Sequence, residues 1–120
     1  MAELLIEGDE LVVKMDVLEK AESIHGDVRV PASAMREITV MDNVLDAIKG
    51  WRAGTGIPDV TEVGRFQDGD QITFAVVHHG VHEGVVIALA GAEFSHIVVG
   101  CHNPNDVARR LQDGKDALAK

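Results

Sequence analysis

The residues of this sequence best suited to chemistry are three histidines within five positions, His78, His79 and His82, followed directly by Glu83. Imidazole and carboxylate groups are ligands for zinc, nickel or iron, so the cluster is a possible metal site. Gly80 and the flanking apolar runs place it in a turn, and adjacent histidines point to opposite faces of a strand, which does not match the cupin pattern. The spacing favours a polar hairpin turn, and the four-residue metal site is kept as the alternative.

Other reactive side chains offer weaker patterns. Cys101 and His102 are neighbours in the chain, whereas a nucleophile and its base must be adjacent in space. His96 alternates with Phe94 and Val98, which is typical of a histidine on an interior strand face. The paired carboxylates fall in turn-like segments, where solvation explains them. The sequence therefore carries no catalytic signature, and we expect no cofactor.

The segment GWRAGTGIPDV at 50–60 has no apolar period, and its three glycines and one proline predict an irregular loop. Long loops on a β scaffold often carry binding, and Trp and Arg are enriched at interface hot spots. In another interpretation, the tryptophan fills the barrel and the glycines only form turns. We expect a binding site here, with the groove beside the terminal helix as a second part of the surface. The candidate residues are Trp51, Arg52, Thr55, Ile57 and Asp59.

Length and charge limit the classes of function. A chain of 120 residues suits one domain, 1–120. The formal net charge of −9 argues against binding to nucleic acid or to an anionic membrane, because both need clustered Lys and Arg. The single cysteine rules out an internal disulfide, and the first residues lack the features of a signal peptide. No apolar stretch is long enough for a membrane span. We expect a cytoplasmic protein.

The apolar periodicity predicts a mainly β chain with about seven to eight strands. Short helices are predicted within 16–26 and 42–50, inserted between strands. Closely spaced strand-like runs between 60 and 100 predict an antiparallel meander. Asn103 as a cap and Pro104 as the first helical residue predict a C-terminal helix, which Gly114 would end or fray. Such strands must close into a barrel or pack as a sandwich, with the helix covering an open end.

A strand meander followed by one terminal helix resembles the pleckstrin-homology-like (PH-like) fold. The segments HGDVRVP at 25–31, GTGIPDV at 54–60 and VVGCHNPNDVARRL at 98–111 resemble a bacterial, mainly actinobacterial, family of uncharacterised proteins with a PH-like domain. FAVVHHGVHEGVVIAL at 74–89 corresponds to the central hairpin of that family. The resemblance covers nearly the whole chain and implies a fold, but no activity, cofactor or catalytic residue. A phosphoinositide pocket fits this acidic chain poorly.

These observations together favour a non-enzymatic PH-like domain that binds a protein or peptide, or assembles with itself. Open edge strands would offer a further means of taking up a partner. The alternative is a small metal-dependent, cupin-like β-barrel enzyme that uses the histidine cluster. Replacing the three histidines together separates the two hypotheses, because only the enzyme would lose its function.

Overall fold

The computed structural model describes residues 3–15, 28–44, 62–78 and 81–118. Within these ranges the chain forms eight strands and one C-terminal helix, which confirms the predicted mainly β architecture. The strands are β1 (Glu3–Glu7), β2 (Glu10–Lys14), β3 (Val28–Pro31), β4 (Met35–Met41), β5 (Glu62–Asp68), β6 (Gln71–Val77), β7 (Gly84–Leu89) and β8 (His96–Gly100). Helix α1 spans Pro104–Leu118, and a 3₁₀ turn spans Ala32–Ala34. The predicted inserted helices at 16–26 and 42–50 lie almost entirely outside the described residues.

The strands form two separate sheets that pack as an open sandwich. The first has the order β1-β2-β3 and is antiparallel, and the second has the order β4-β7-β8-β6-β5. Of the two predicted arrangements, the closed barrel is therefore wrong and the sandwich is right. Pro31 ends β3, and because proline has no backbone N–H it cannot continue a hydrogen-bonded ladder. The 3₁₀ turn that follows leads the chain from the first sheet into the second.

The predicted meander and central hairpin are also wrong, because β8 lies between β6 and β7. β8 pairs in parallel with β6, with Phe74 opposite Ile97, and antiparallel with β7, with Val85 opposite Val99. The physical reason lies in the composition of β8. Ile97, Val98 and Val99 are at most 1% exposed, and a strand apolar on both faces belongs in the middle of a sheet.

The main core lies between the two sheets and takes side chains from both. Its buried members include Leu11, Val13, Val28, Val30, Phe74, Val76, Val85, Ile87, Ile97, Val99 and Leu111. The rings of Phe74 and Phe94 pack in a tilted arrangement, with centroids 5.4 Å apart. A second buried cluster, Val44, Ala75, Val77 and Val98, lies on the other face of the five-stranded sheet. Side-chain alternation along β6 explains this division between the two faces.

Helix α1 begins beyond Asn103, whose backbone has a φ of 55°. The carbonyl of Asn103 accepts hydrogen bonds from the amides of Asp106 and Val107, at 3.1 and 3.2 Å. Asp106 lies in the first turn, where the helix dipole favours a negative charge. The helix covers the sandwich by burying Leu111 in the main core. No helix in the described ranges has the length and apolar character needed to cross a lipid bilayer.

Candidate functional site

The predicted binding loop at 50–60 lies outside the described residues. Its candidate residues, Trp51, Arg52, Thr55, Ile57 and Asp59, therefore stay a prediction. Of the predicted histidine cluster, His78, His82 and Glu83 are described, and His79 is not. The connection that carries them is not a hairpin turn but a crossover from β6 to β7, past the end of β8.

The crossover is held by backbone hydrogen bonds. The carbonyls of His78, His82 and Glu83 accept hydrogen bonds from the amides of Val81, Val44 and Cys101, at 3.1, 2.8 and 3.0 Å. These bonds use main-chain atoms and do not depend on the side chains of the histidines. The histidine-rich segment thus has a structural role that its sequence did not indicate.

A metal site is not assembled by the described part of the cluster. Among the described residues, no group of three or more His, Cys, Asp or Glu side chains is placed to hold a metal ion. Glu83 instead lies beside His102, with 3.9 Å between its Oε1 and the Nδ1 of His102, and both side chains are largely exposed. Sequence reasoning missed this pair because the two residues belong to different connections. The full cluster, with His79, stays a prediction.

Cys101, whose amide donates a hydrogen bond to the carbonyl of Glu83, is a candidate nucleophile beside the crossover, but its environment makes its thiol less reactive. Burial raises the pKa of its thiol, and the negative charge of Glu83 raises it further. The thiolate is the reactive form of cysteine, so a raised pKa leaves this side chain protonated and unreactive near neutral pH. The structure therefore gives no support to a Cys101–His102 nucleophile pair.

Two concave surfaces of the described structure lie along helix α1, which packs beside strand β1. Ile6 contacts the helix at Gly114, where a Cβ would lie only 2.8 Å from the Ile6 Cγ1. Such a contact brings the helix backbone unusually close to the strand. Among the described residues β1 pairs only with β2, so it is an edge strand of the first sheet. A pocket opens on each side of the Ile6–Gly114 contact.

The first pocket, here called the Cys101 cleft, has a volume of about 330 Å³. It lies between the start of β1, the end of β8 and the first half of α1. Its lining residues are Glu3, Leu4, Leu5, Val99, Cys101, His102, Val107 and Arg110. The guanidinium of Arg110 is tied to the helix, since its Nε lies 3.3 Å from Asp106 Oδ2. The cleft therefore combines an edge strand, apolar side chains, the carboxylate of Glu3 and an ion-paired cation.

The second pocket, here called the Lys115 groove, has a volume of about 520 Å³. It lies between the β1–β2 turn, the 3₁₀ turn, the start of β4 and the end of α1. Its lining residues are Asp9, Pro31, Ala32, Ser33, Met35, Arg36, Lys115 and Leu118. Leu118 is 46% exposed, and no other large apolar residue of the described ranges is exposed. The groove thus has an apolar wall beside two cations.

Neither a family model, nor a curated protein, nor a solved structure matches this chain. The candidate surface is therefore defined by its own contacts: a helix packed beside an edge strand, with one pocket on each side of the point of contact. The sequence predicted a groove beside the terminal helix, but gave no signal for Arg36. This residue joins the groove only because β4 starts beside the end of α1.

Proposed function

We propose that this protein is a non-enzymatic PH-like domain that binds a protein or peptide partner along helix α1. The observation that carries the proposal is the pairing of two pockets, the Cys101 cleft and the Lys115 groove, on either side of the contact between β1 and α1. The edge strand β1 lines the Cys101 cleft, and the turn that follows β1 lines the Lys115 groove. Extended peptides bind such places by adding to the strand and seating side chains in pockets.

The PH-like assignment is supported by the architecture of the described residues, which form eight strands in two sheets, followed by one C-terminal helix that contributes to the core. The parallel pairing of β6 with β8 departs from an all-antiparallel meander. The likeness is therefore one of general layout and does not extend to strand order in the second sheet. Because fold alone does not choose a function, the binding proposal rests on the two pockets.

Two further observations favour binding over catalysis. The Cys101 thiol, which lines one pocket, has a raised pKa and is kept protonated. The cations Arg110 and Lys115 lie one on each side of the Ile6–Gly114 contact, although the chain as a whole carries a formal charge of −9. In the Cys101 cleft Glu3 offsets Arg110, so the excess of positive charge lies in the Lys115 groove. Positive charge there is suited to selecting an acidic partner and orienting it.

A peptide selection tests this function. We would select on immobilised protein from a phage-displayed library of random dodecapeptides that are fused to the coat protein through their N-termini, so that each peptide ends in a free carboxylate. Dissociation constants of the synthetic peptides would then be measured by fluorescence anisotropy. The test variant carries Arg110→Glu and Lys115→Glu, and the control carries Arg65→Glu on β5, at the far edge of the second sheet. We expect binding to weaken at least about tenfold in the test variant and to be unchanged in the control.

Two results would contradict the proposal: no enriched peptide, or peptides that bind the test variant as well as the parent protein. Sedimentation velocity of the free protein separates partner binding from self-assembly. A monomer is expected. A dimer that the Arg110→Glu/Lys115→Glu variant dissociates would mean that the helix surface binds a second copy of the chain instead.

A further inference from the structure

Charge in the Lys115 groove differs from that of the whole chain. Two cations, Arg36 and Lys115, and one carboxylate, Asp9, line the groove, which leaves it a single net positive charge. Neither cation makes an ion pair with any residue in the described ranges. Such unpaired cations in a pocket can pair with an anion supplied by a ligand.

Arg36 is held in place by the local backbone. The ladder between β4 and β7 shifts register between Met35 and Glu37, so Arg36 is the extra residue of a β-bulge. Bulges change the direction of a side chain and are common beside functional sites. One guanidinium nitrogen, Nη1, donates hydrogen bonds to the carbonyls of Ser33 and Met35, at 2.7 and 3.2 Å. The remaining N–H groups of the fork are available to a ligand, and the cation is already oriented.

The apolar part of the groove lies beside these cations. Its accessible apolar side chains are Pro31, from the end of β3, and Leu118, from the end of α1, whereas Ala32 and Met35 are buried beneath them. Because Leu118 is 46% exposed, a ligand that covered it would gain hydrophobic free energy. The groove therefore suits one group that carries a negative charge and an apolar side chain close together.

We infer that the Lys115 groove binds the C-terminal residue of a partner peptide, with its free carboxylate on Arg36 and Lys115 and an aliphatic side chain against Pro31 and Leu118. In a C-terminal residue the carboxylate and the side chain share one Cα, which matches cations and apolar residues within a single groove of about 520 Å³. A net charge of +1 suits a monoanionic carboxylate better than a dianionic phosphate. This inference rests on the proposed function and names the partner's chemistry.

The test compares two forms of one peptide library. N-acetylated hexapeptides with a fixed last residue and random preceding positions are prepared as free acids and as C-terminal amides. Binding to ¹⁵N-labelled protein is followed by NMR. For Leu, Ile or Val as the last residue, we expect the free acids to shift the amides of Ala32, Ser33, Arg36 and Lys115. The peptides that end in a C-terminal amide should bind at least about tenfold more weakly than the free acids, because a charge-assisted hydrogen bond is lost.

Variants assign the effect to the groove. Arg36→Gln and Lys115→Gln should each remove most of the preference for the free acid, whereas Arg65→Gln on β5 should keep it. The two substitutions lie in different elements, so the test can still be made if one variant does not fold. The NMR spectrum shows directly whether each variant is folded. Equal binding of acids and amides, or shifts confined to other residues, would overturn the inference.

The outcomes also separate this inference from the proposed function. If peptides from the phage selection bind and the acid and amide forms are equivalent, the C-terminal inference fails and the binding function stands. If no peptide binds in either experiment, both fail. Phosphatidylserine vesicles and a phosphoserine hexapeptide amide are run in parallel. Binding of either that depends on Arg36 and Lys115 and exceeds that of the free acids would assign the groove to another ligand and overturn the inference.

Discussion

Gly114 lies so close to Ile6 that a Cβ at position 114 would be 2.8 Å from the Ile6 Cγ1 and 3.2 Å from its Cβ. The helix nevertheless continues through Gly114 to Leu118. The expectation that Gly114 ends or frays the helix is therefore wrong. Gly114 instead allows strand β1 to pack closely against the helix. A glycine inside a helix costs about 1 kcal/mol relative to alanine, so the close contact must offset an intrinsic disadvantage.

The contact predicts an unusual response to Gly114→Ala. In most exposed helices this change stabilises by about 1 kcal/mol, but here the new methyl group meets the branched part of Ile6, near its backbone. Overpacking typically costs 1–3 kcal/mol, so we expect a net loss of about 1 kcal/mol in the free energy of unfolding, measured by urea denaturation.

A second background provides the control. Ile6→Ala removes the Cγ atoms that the new methyl group would meet and leaves only the Cβ, at 3.2 Å. In this background Gly114→Ala should therefore cost less than in the parent protein, or stabilise by up to about 1 kcal/mol. Stabilisation by Gly114→Ala in the parent protein would contradict the proposed packing role.

Gly84 permits the close passage of β7 against β8. A Cβ on Gly84 would lie 2.1 Å from the carbonyl oxygen of Val99, which is fixed backbone. We expect Gly84→Ala to cost about 3 kcal/mol or more, because the strand pair must separate. Gly91→Ala is the matched control: it has a φ of 75° but no atom within 4 Å of its Cβ, so backbone strain of roughly 1–2 kcal/mol is its main cost. The free energy of unfolding is measured by thermal and urea denaturation. If Gly84→Ala lowered it no more than Gly91→Ala does, this account would be contradicted.

The sequence predicts local structure well because alternation and capping are local properties. Strand content and the start of α1 at Pro104 follow from periodicity and turn chemistry. The order of strands does not follow, since the insertion of β8 between β6 and β7 depends on burial of Ile97 and Val98 on both faces of a sheet. An uninterrupted apolar run was the available signal.

The candidate surface was only partly predictable for the same reason. A groove beside the terminal helix follows from an amphipathic helix that packs on strands. The meeting of Arg36 with Lys115 depends on a β-bulge and on the length of α1, neither of which has a sequence signature here. Long-range placement of this kind is decided by tertiary packing rather than by local pattern.

Cys101 predicts a change of stability at alkaline pH. Its thiol has a raised pKa in the folded protein, so the folded state holds the proton more tightly than the unfolded state. The stability it contributes is fully present below the unfolded pKa of about 8.5, and is lost as pH rises toward the folded pKa. We expect urea unfolding between about pH 7.5 and 10 to show a steeper decline for the parent protein than for Cys101→Ala. Equal slopes would contradict the assigned shift.

Glu7 predicts the opposite dependence at acidic pH. The hydrogen bond from Arg29, and then the charges of Arg29 and Lys14, lower the pKa of this carboxyl. Its contribution is present above the unfolded pKa and is lost as pH falls through the lowered value. Glu7→Gln should therefore flatten the dependence of the free energy of unfolding on pH below pH 4.5, which is the ordinary pKa of a glutamate carboxyl. Glu93→Gln, at an exposed carboxylate that makes no ion pair with a described residue, is the control for the loss of one negative charge. If Glu7→Gln left this pH dependence unchanged, the exposed ion pair between Glu7 and Arg29 would contribute nothing to the free energy of unfolding.

The histidine cluster provides a test between a binding module and a metal-dependent enzyme. We expect the combined variant His78→Asn, His79→Asn and His82→Asn to bind selected peptides as the parent protein does, because the variant keeps the backbone carbonyls that accept hydrogen bonds from Val81 and Val44. Untagged parent protein, dialysed against a weak chelator, should contain substoichiometric metal by elemental mass spectrometry and remain folded. Near one equivalent of a single metal, lost in the triple variant, would instead establish a site that includes His79 and favour the enzyme.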